Sequence, residues 1–232
     1  MSSNRDSFLP QSEKTPIDVG IPIFWVDASD ASRRIVNGNH EVLGGFEKSE
    51  FKHRMRQSSP SVGSPPSLRS FGKKQGFTTS VVNGLALEFP FSPISEVTMF
   101  FVYDDNNGTL LENDDGSIVV SDSEITVGSA TGAAPAKLSD NDPHILVIYW
   151  STSDGNLWYK FDGDSPVILD TDTTRLSGTS QNWALLNNFA QDNGVTGVVG
   201  EIILYGSRLQ SFHINRVGKY LCSKWDLNWS DI

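Results

Sequence analysis

From residue 80 onward, short apolar runs alternate with polar turns. Leu85, Leu87 and Phe89 alternate with Ala86 and Glu88, the period-two pattern of a strand with one wet face. Val97–Tyr103 is apolar throughout and predicts a central strand. Asp104-Asp-Asn-Asn-Gly108 and Asn113-Asp-Asp-Gly116 supply turns on either side of a strand opening at Leu110-Leu111, and Ile118–Val120 follows. His144–Trp150, the Ser153-Asp-Gly155 turn and Leu157–Phe161 together predict a hairpin. Trp183–Leu186 and Val198–Tyr205 add two more strands, and no solenoid or propeller period is visible. Short strands punctuated by polar turns specify an antiparallel sandwich.

A long helical pattern closes the chain. Ser211 is placed to cap a run in which Ile214, Val217, Leu221 and Trp225 share one face at three- and four-residue spacing, with Arg216, Lys219 and Ser223 opposite. Gly218 weakens this helix or lets a strand pass close to it. Cys222 lies beside the apolar stripe and reads as a packed thiol.

The beginning of the chain is less regular. Residues 1–20 are polar, with Phe8, Leu9, Ile17 and Val19 as scattered apolar positions, and predict an extended arm that becomes ordered only on an outside surface. Ile21–Asp27 is the first strand candidate of a domain spanning 21–232, with Pro22 at its start and Asp27, Ser29 and Asp30 ending it. Between residues 37 and 75 the pattern dissolves into Gly44-Gly45, Ser58-Ser-Pro60 and Gly63-Ser-Pro-Pro66. That stretch predicts a long basic loop, with Glu47–Gln57 as a candidate short helix.

Charge sharpens this division. Residues 1–32 carry two basic and five acidic side chains, 33–74 carry nine and three, and 75–232 carry seven and twenty, giving net charges of −3, +6 and −13. A basic segment on an acidic body suggests attraction to an acidic neighbour, including another copy of the chain; a solvated loop is the alternative. Cys222 is the sole cysteine, which excludes an intrachain disulfide framework. No apolar run approaches the roughly 18–20 residues of a membrane span, and Met1-Ser-Ser-Asn-Arg-Asp-Ser lacks the apolar run of a signal peptide. The expectation is a soluble product of the cytoplasm, with the Asn107-Gly-Thr and Asn228-Trp-Ser sequons as chance occurrences.

Gly200-Glu-Ile-Ile-Leu-Tyr-Gly-Ser-Arg-Leu209, followed by Arg216-Val-Gly-Lys-Tyr-Leu-Cys-Ser-Lys-Trp225, resembles the closing signature of concanavalin A-like lectin/glucanase (laminin G-like jelly-roll) domains. Phe24–Asp30 resembles that family's first strand, and Gly84–Phe89 its strand after the first long loop. The resemblance implies a two-sheet antiparallel jelly-roll sandwich with one C-terminal amphipathic helix. Such domains are frequent in bacteriophage structural proteins. It therefore implies a virion accessory protein: a capsid decoration, head fibre or tail fibre component made in the bacterial host cytoplasm. Its partners would be capsid or tail proteins of the same virion, in a homo-oligomer or multicopy array, with host-surface glycans as a further contact. A carbohydrate-binding, lectin-like module is the alternative. Docking is assigned to Phe8, Leu9, Ile17 and Val19 of the arm and to Lys48, Lys52, Arg54 and Arg56 of the basic segment.

Other chemistries find less in the residues. The paired-carboxylate strand that glycoside hydrolysis needs is missing; Asp122 and Glu124 have the right spacing, but Ser121 and Ser123 mark an exposed edge strand. The chain is expected to have no enzymatic activity and no cofactor. Calcium is the remaining ion candidate, because Asp104, Asp105, Asn106, Asp114, Asp115, Asp162 and Asp164 crowd the turns, yet none completes an EF-hand and Asp-Gly turns have conformational reasons of their own. His40, His53, His144 and His213 show no close ligand spacing for zinc. Phosphate would be repelled by the acidic body, so nucleic acid is not an expected partner. Trp25, Trp150, Trp158, Trp183 and Trp225 fall in apolar segments and read as core, leaving Trp229 in a polar tail.

Overall fold

The structure is a computed structural model that describes residues 15–57, 65–79, 87–90, 96–104, 108–113, 116–121, 123–133, 142–151, 153, 155–171, 182–188, 190 and 193–231. In chain order the strands are β1 (Phe24–Asp27), β2 (Arg34–Val36), β3 (Val42–Phe46), β4 (Arg54–Gln57), β5 (Ser67–Phe71), β6 (Lys74–Thr78), β7 (Leu87–Pro90) and β8 (Glu96–Asp104). They continue as β9 (Gly108–Asn113), β10 (Gly116–Val120), β11 (Glu124–Val127), β12 (Ala130–Ala133), β13 (His144–Ser151), β14 (Asn156–Phe161), β15 (Val167–Asp170), β16 (Asn182–Leu185) and β17 (Val198–Tyr205). Helix α1 (Ser211–Trp225) ends the described secondary structure.

Two antiparallel sheets face each other. The first runs β15-β14-β13-β8-β17-β6-β5, and β1 also pairs with β17. The second runs β12-β11-β10-β9-β16-β7-β4-β3-β2. Between them lies the main core, built from inward residues such as Val97, Met99, Phe101, Leu146, Ile148, Trp150, Leu111, Ile118 and Trp183. A second core lies on the outer face of the first sheet, where Phe100, Val102, Ile145, Val147, Ile203 and Tyr205 meet Ile214, Val217, Leu221 and Trp225 of α1. This is why Val97–Tyr103 lacks alternation: odd positions fill the sandwich, while Phe100 and Val102 fill the space under the helix.

The helix begins one residue earlier than capping by Ser211 requires. Gln210 is the extended N-cap residue and Ser211 the first helical one. At the other end Asp226 adopts a left-handed conformation, and the Leu227 amide donates to the Cys222 carbonyl at 3.0 Å. The Cys222 thiol donates to the Leu227 carbonyl, and burial raises its pKa.

A polar cluster ties the helix to the sheet. A bulge between Val199 and Glu201 turns the Glu201 side chain toward α1, and the bulge residue Gly200 leaves room for the Trp225 ring, 2.9 Å from where a Cβ would stand. The Glu201 carboxylate accepts from the indole nitrogens of Trp25 and Trp225 and from Lys224, each at 2.6 Å. Lys224 is also 2.6 Å from Asp27, which Lys48 approaches at 3.0 Å. Burial pushes the Glu201 carboxyl up, against the pull of Lys224. At Asp27 burial acts the same way but is outweighed by the Lys224 charge and by hydrogen bonds from Lys224 and Ser29, which hold its pKa at about 2. These groups account for the chain's closing signature: Glu201, Lys224 and Trp225 form a structural joint.

The stretch from 37 to 75 differs from the expected loop. It contains β3, β4 and β5 and the start of β6, the first two adding to one sheet and the last two to the other. Each strand contributes few inward side chains: Val42 and Met55 are buried, while Leu43, Arg54 and Arg56 face outward. One apolar residue between two arginines is too short a signal for periodicity to reveal. The expected short helix at Glu47–Gln57 is replaced by a turn leading into β4, with Lys52 at φ 50°. Buried Glu47 organises that turn, its carboxylate accepting from the backbone amides of Trp25, Ser49 and His53 at 3.0, 2.6 and 2.7 Å.

Candidate functional site

The residues singled out for docking are dispersed. Phe8 and Leu9 lie outside the described residues. Ile17 is exposed, but Val19 packs against the core under α1, and the Tyr205 hydroxyl donates to the Pro16 carbonyl at 3.0 Å. Residues 16–19 therefore lie on the domain itself rather than waiting for an outside surface. Lys48 is occupied by Asp27 and by the Trp25 ring, 4.5 Å from its ammonium. Lys52, Arg54 and Arg56 are exposed. Arg54 and Arg56 share the outer face of β4, and exposed Ile35, Leu43 and Phe46 lie on the neighbouring β2 and β3.

The acidic turns serve the backbone where they are described. Asp162, at φ 48°, accepts from the Ile145 amide at 2.8 Å and lies 2.7 Å from His144 Nδ1; Asp104 accepts from the Val198 amide at 2.7 Å. Among the described residues no three His, Cys, Asp or Glu side chains are grouped to hold a metal. Asp105, Asn106, Asp114, Asp115 and Asp122 lie outside them. Glu124 is exposed, but on a strand flanked by β10 and β12 rather than on an edge.

Two of the tryptophans are not where the pattern put them. Trp158 is half-buried on the outer face of the first sheet, while the expected tail residue Trp229 packs on Gly218 and donates to Asn215 at 3.3 Å. Burial lowers the pKa of Lys160, whose ammonium is 4.9 Å from the Trp229 ring, to about 8.

A concave site forms where β17 turns into α1. The turn, Gly206–Gln210, is held from below by Thr98, whose hydroxyl donates to the Ser207 carbonyl at 3.0 Å and accepts from the Leu209 amide at 2.8 Å. A groove lies on each side. One, of 330 Å³, is bounded by Val19, Gly20, Ile21, Tyr205, Ser207 and His213; the other, of 270 Å³, is bounded by Tyr149, Ser211 and Ile214. Both share Arg208, Leu209 and Gln210. The larger sits at the lower end of the roughly 300–1,000 Å³ typical of ligand sites and the smaller just below it.

The wall of the smaller groove includes Tyr149, whose ring stacks on Trp158 behind it, beside convergent polar groups. Tyr149 and Trp158 are opposite one another on β13 and β14, with ring centroids 6.3 Å apart and planes within 8°. The Arg208 guanidinium lies 5.6 Å from the Tyr149 centroid. Arg208, Gln210 and Ser211 are exposed, and Leu209 and Ile214 supply buried apolar surface. Burial lowers the His213 pKa, with the nearby Arg216 charge adding to the effect. Tyr149 lies in an apolar strand of the sequence, and only the β17–α1 turn shows that it borders a groove.

No family model and no curated protein sequence matches the chain, so the closing signature has no support at sequence level. Solved structures match its fold. The binding domain of botulinum neurotoxin serotype D/C is 11% identical with a TM-score of 0.58, covering 88% of this chain and 53% of that one. A structure of botulinum neurotoxin type C, a toxin whose cell entry depends on interaction with two ganglioside molecules, is 9% identical with a TM-score of 0.57, covering 88% and 52%. A GH54 α-L-arabinofuranosidase is 12% identical with a TM-score of 0.55, covering 79% and 51%. The chain spans about half the length of each of these structures, and at such identities the likeness is one of fold: a mostly β, jelly-roll-like sandwich.

Proposed function

We propose that this chain is a non-enzymatic carbohydrate-binding module that holds a glycan across the β17–α1 turn. The observation that carries the reading is the pair of grooves sharing Arg208, Leu209 and Gln210, where polar side chains converge over an apolar floor. Sugars present hydroxyl groups on a partly apolar ring, so a site for them needs several donors and acceptors beside apolar surface. Gln210, Ser211 and Arg208 supply the former; Leu209 and Ile214 supply the latter. The fold shared with a toxin whose cell entry depends on gangliosides, and with a glycosidase, favours this reading over the virion role implied by the family resemblance.

A glycan array with the purified chain, followed by titration of the glycans retained, tests the proposal. Binding should weaken at least tenfold in the Gln210→Ala/Ser211→Ala double variant, whose substitutions are at exposed positions. An empty array, or full binding by the double variant, overturns it.

A further inference from the structure

Resting on that reading, we infer that the larger groove selects N-acetylated amino sugars, with the acetamido group held between residues 19–21 and the β17–α1 turn. The groove joins two kinds of lining. Val19, Ile21 and Leu209 are aliphatic, and the Tyr205 hydroxyl is occupied by the Pro16 carbonyl, so Tyr205 presents its ring. Gly20 keeps that ring open: a Cβ there would stand 3.9 Å from two of its carbons. The polar lining comes from Ser207, Gln210 and His213.

These groups suit an amide better than a set of hydroxyls. Among the described residues no Asp or Glu lines the groove, so it lacks the acceptor-only carboxylates that would take hydrogen bonds from neighbouring sugar hydroxyls. Gln210 stands at the N-cap position but makes no cap bond to α1, which leaves its amide, donor and acceptor in one plane, at the groove. Among the described residues the backbone of Gly20 and Ile21 enters no hydrogen bond and offers a donor and acceptors of the same kind. Burial, aided by the Arg216 charge, lowers the His213 pKa, so at neutral pH its ring is uncharged and also carries one donor and one acceptor. An acetamido group presents an N–H, a carbonyl and a methyl: the first two match these pairs, and the methyl matches Val19, Ile21 and Leu209. A hydroxyl in its place would leave the aliphatic lining uncovered. A methyl group in an apolar pocket discriminates by about tenfold or more, and because Ile21 is exposed the expected preference is about tenfold.

Matched probes test this with the full chain: chitotriose against cellotriose, and N-acetylgalactosamine against galactose, titrated calorimetrically, with saturation-transfer NMR on the acetylated members. In at least one pair the acetylated sugar should bind about tenfold more tightly, and its acetyl methyl should receive the strongest saturation. Gly20→Val fills the groove from a position where an added Cβ meets only ordinary van der Waals contact, and should weaken binding of the acetylated sugar about tenfold; Gly20→Ala should fall between. Far-ultraviolet circular dichroism verifies that both variants are folded. Equal binding within both pairs, weaker saturation of the methyl than of the ring protons, or undiminished binding by the folded Gly20→Val variant overturns the N-acetyl inference while the carbohydrate reading stands. Equally tight binding of L-fucose, which brings a methyl without an amide, overturns it in the same way. Failure to bind any glycan on the array overturns both.

Discussion

The indole nitrogen of Trp25 donates to the Glu201 carboxylate at 2.6 Å, joining a strand near the start of the chain to one near its end. The same carboxylate receives Trp225 and Lys224, so one buried side chain closes the circuit β1–β17–α1. Glu201→Ala would leave Lys224 without one of its two carboxylate partners and two indole N–H groups without an acceptor. The expected loss is about 3–5 kcal/mol, the usual cost of breaking a buried pair. Urea unfolding followed by tryptophan fluorescence measures it; a loss below about 1 kcal/mol would show that the joint contributes little.

Asp27 makes the joint sensitive to acid. Its folded pKa of about 2 lies below the ordinary 3.8, so its stabilisation is present above that ordinary value and is lost as pH falls through the folded one. The amount is about 2 kcal/mol. Glu201, whose pKa is raised, acts with the opposite sign: its contribution is full below the unfolded value and diminishes as pH rises through the folded value. Asp27→Asn should therefore be less stable at neutral pH and show a flatter decline between about pH 4 and pH 2. Unfolding curves across that window decide the matter, and identical slopes for wild type and variant would exclude Asp27 as their source.

Gly218 offers a test in which helix propensity and packing oppose each other. Alanine is favoured over glycine in a helix interior by about 1 kcal/mol. A Cβ here, however, would fall 2.2 to 2.5 Å from atoms of the Trp229 ring, and displacing that ring costs about 1–3 kcal/mol. Gly218→Ala should thus lower stability, whereas the same change in a Trp229→Ala background should raise it. A thermal unfolding cycle of the four proteins gives the coupling directly; additive effects would mean that Gly218 is not there to receive the ring.

Much of the fold follows from local pattern. Largely apolar runs at 97–103, 144–150 and 198–205 specify central strands, and the spacing of Ile214, Val217, Leu221 and Trp225 specifies the helix face that covers them. Those signals are legible because strand and helix periods are properties of consecutive residues. The strands between 37 and 75 were not legible, since Met55 stands as a lone inward residue between Arg54 and Arg56 and pairing with neighbouring strands supplies what propensity lacks. The role of Lys48 was equally hidden: its charge is visible in sequence, but its occupation by Asp27 and Trp25 depends on a turn organised by Glu47. The candidate site belongs wholly to tertiary structure. Tyr149, Val19 and Arg208 come from three separate segments, and each alone reads as strand, arm or turn; sheet pairing and the docking of α1 bring them to the edges of the two grooves. Sequence determines which residues are buried through their periodicity, whereas concavity and local charge arise only from side chains that packing makes neighbours.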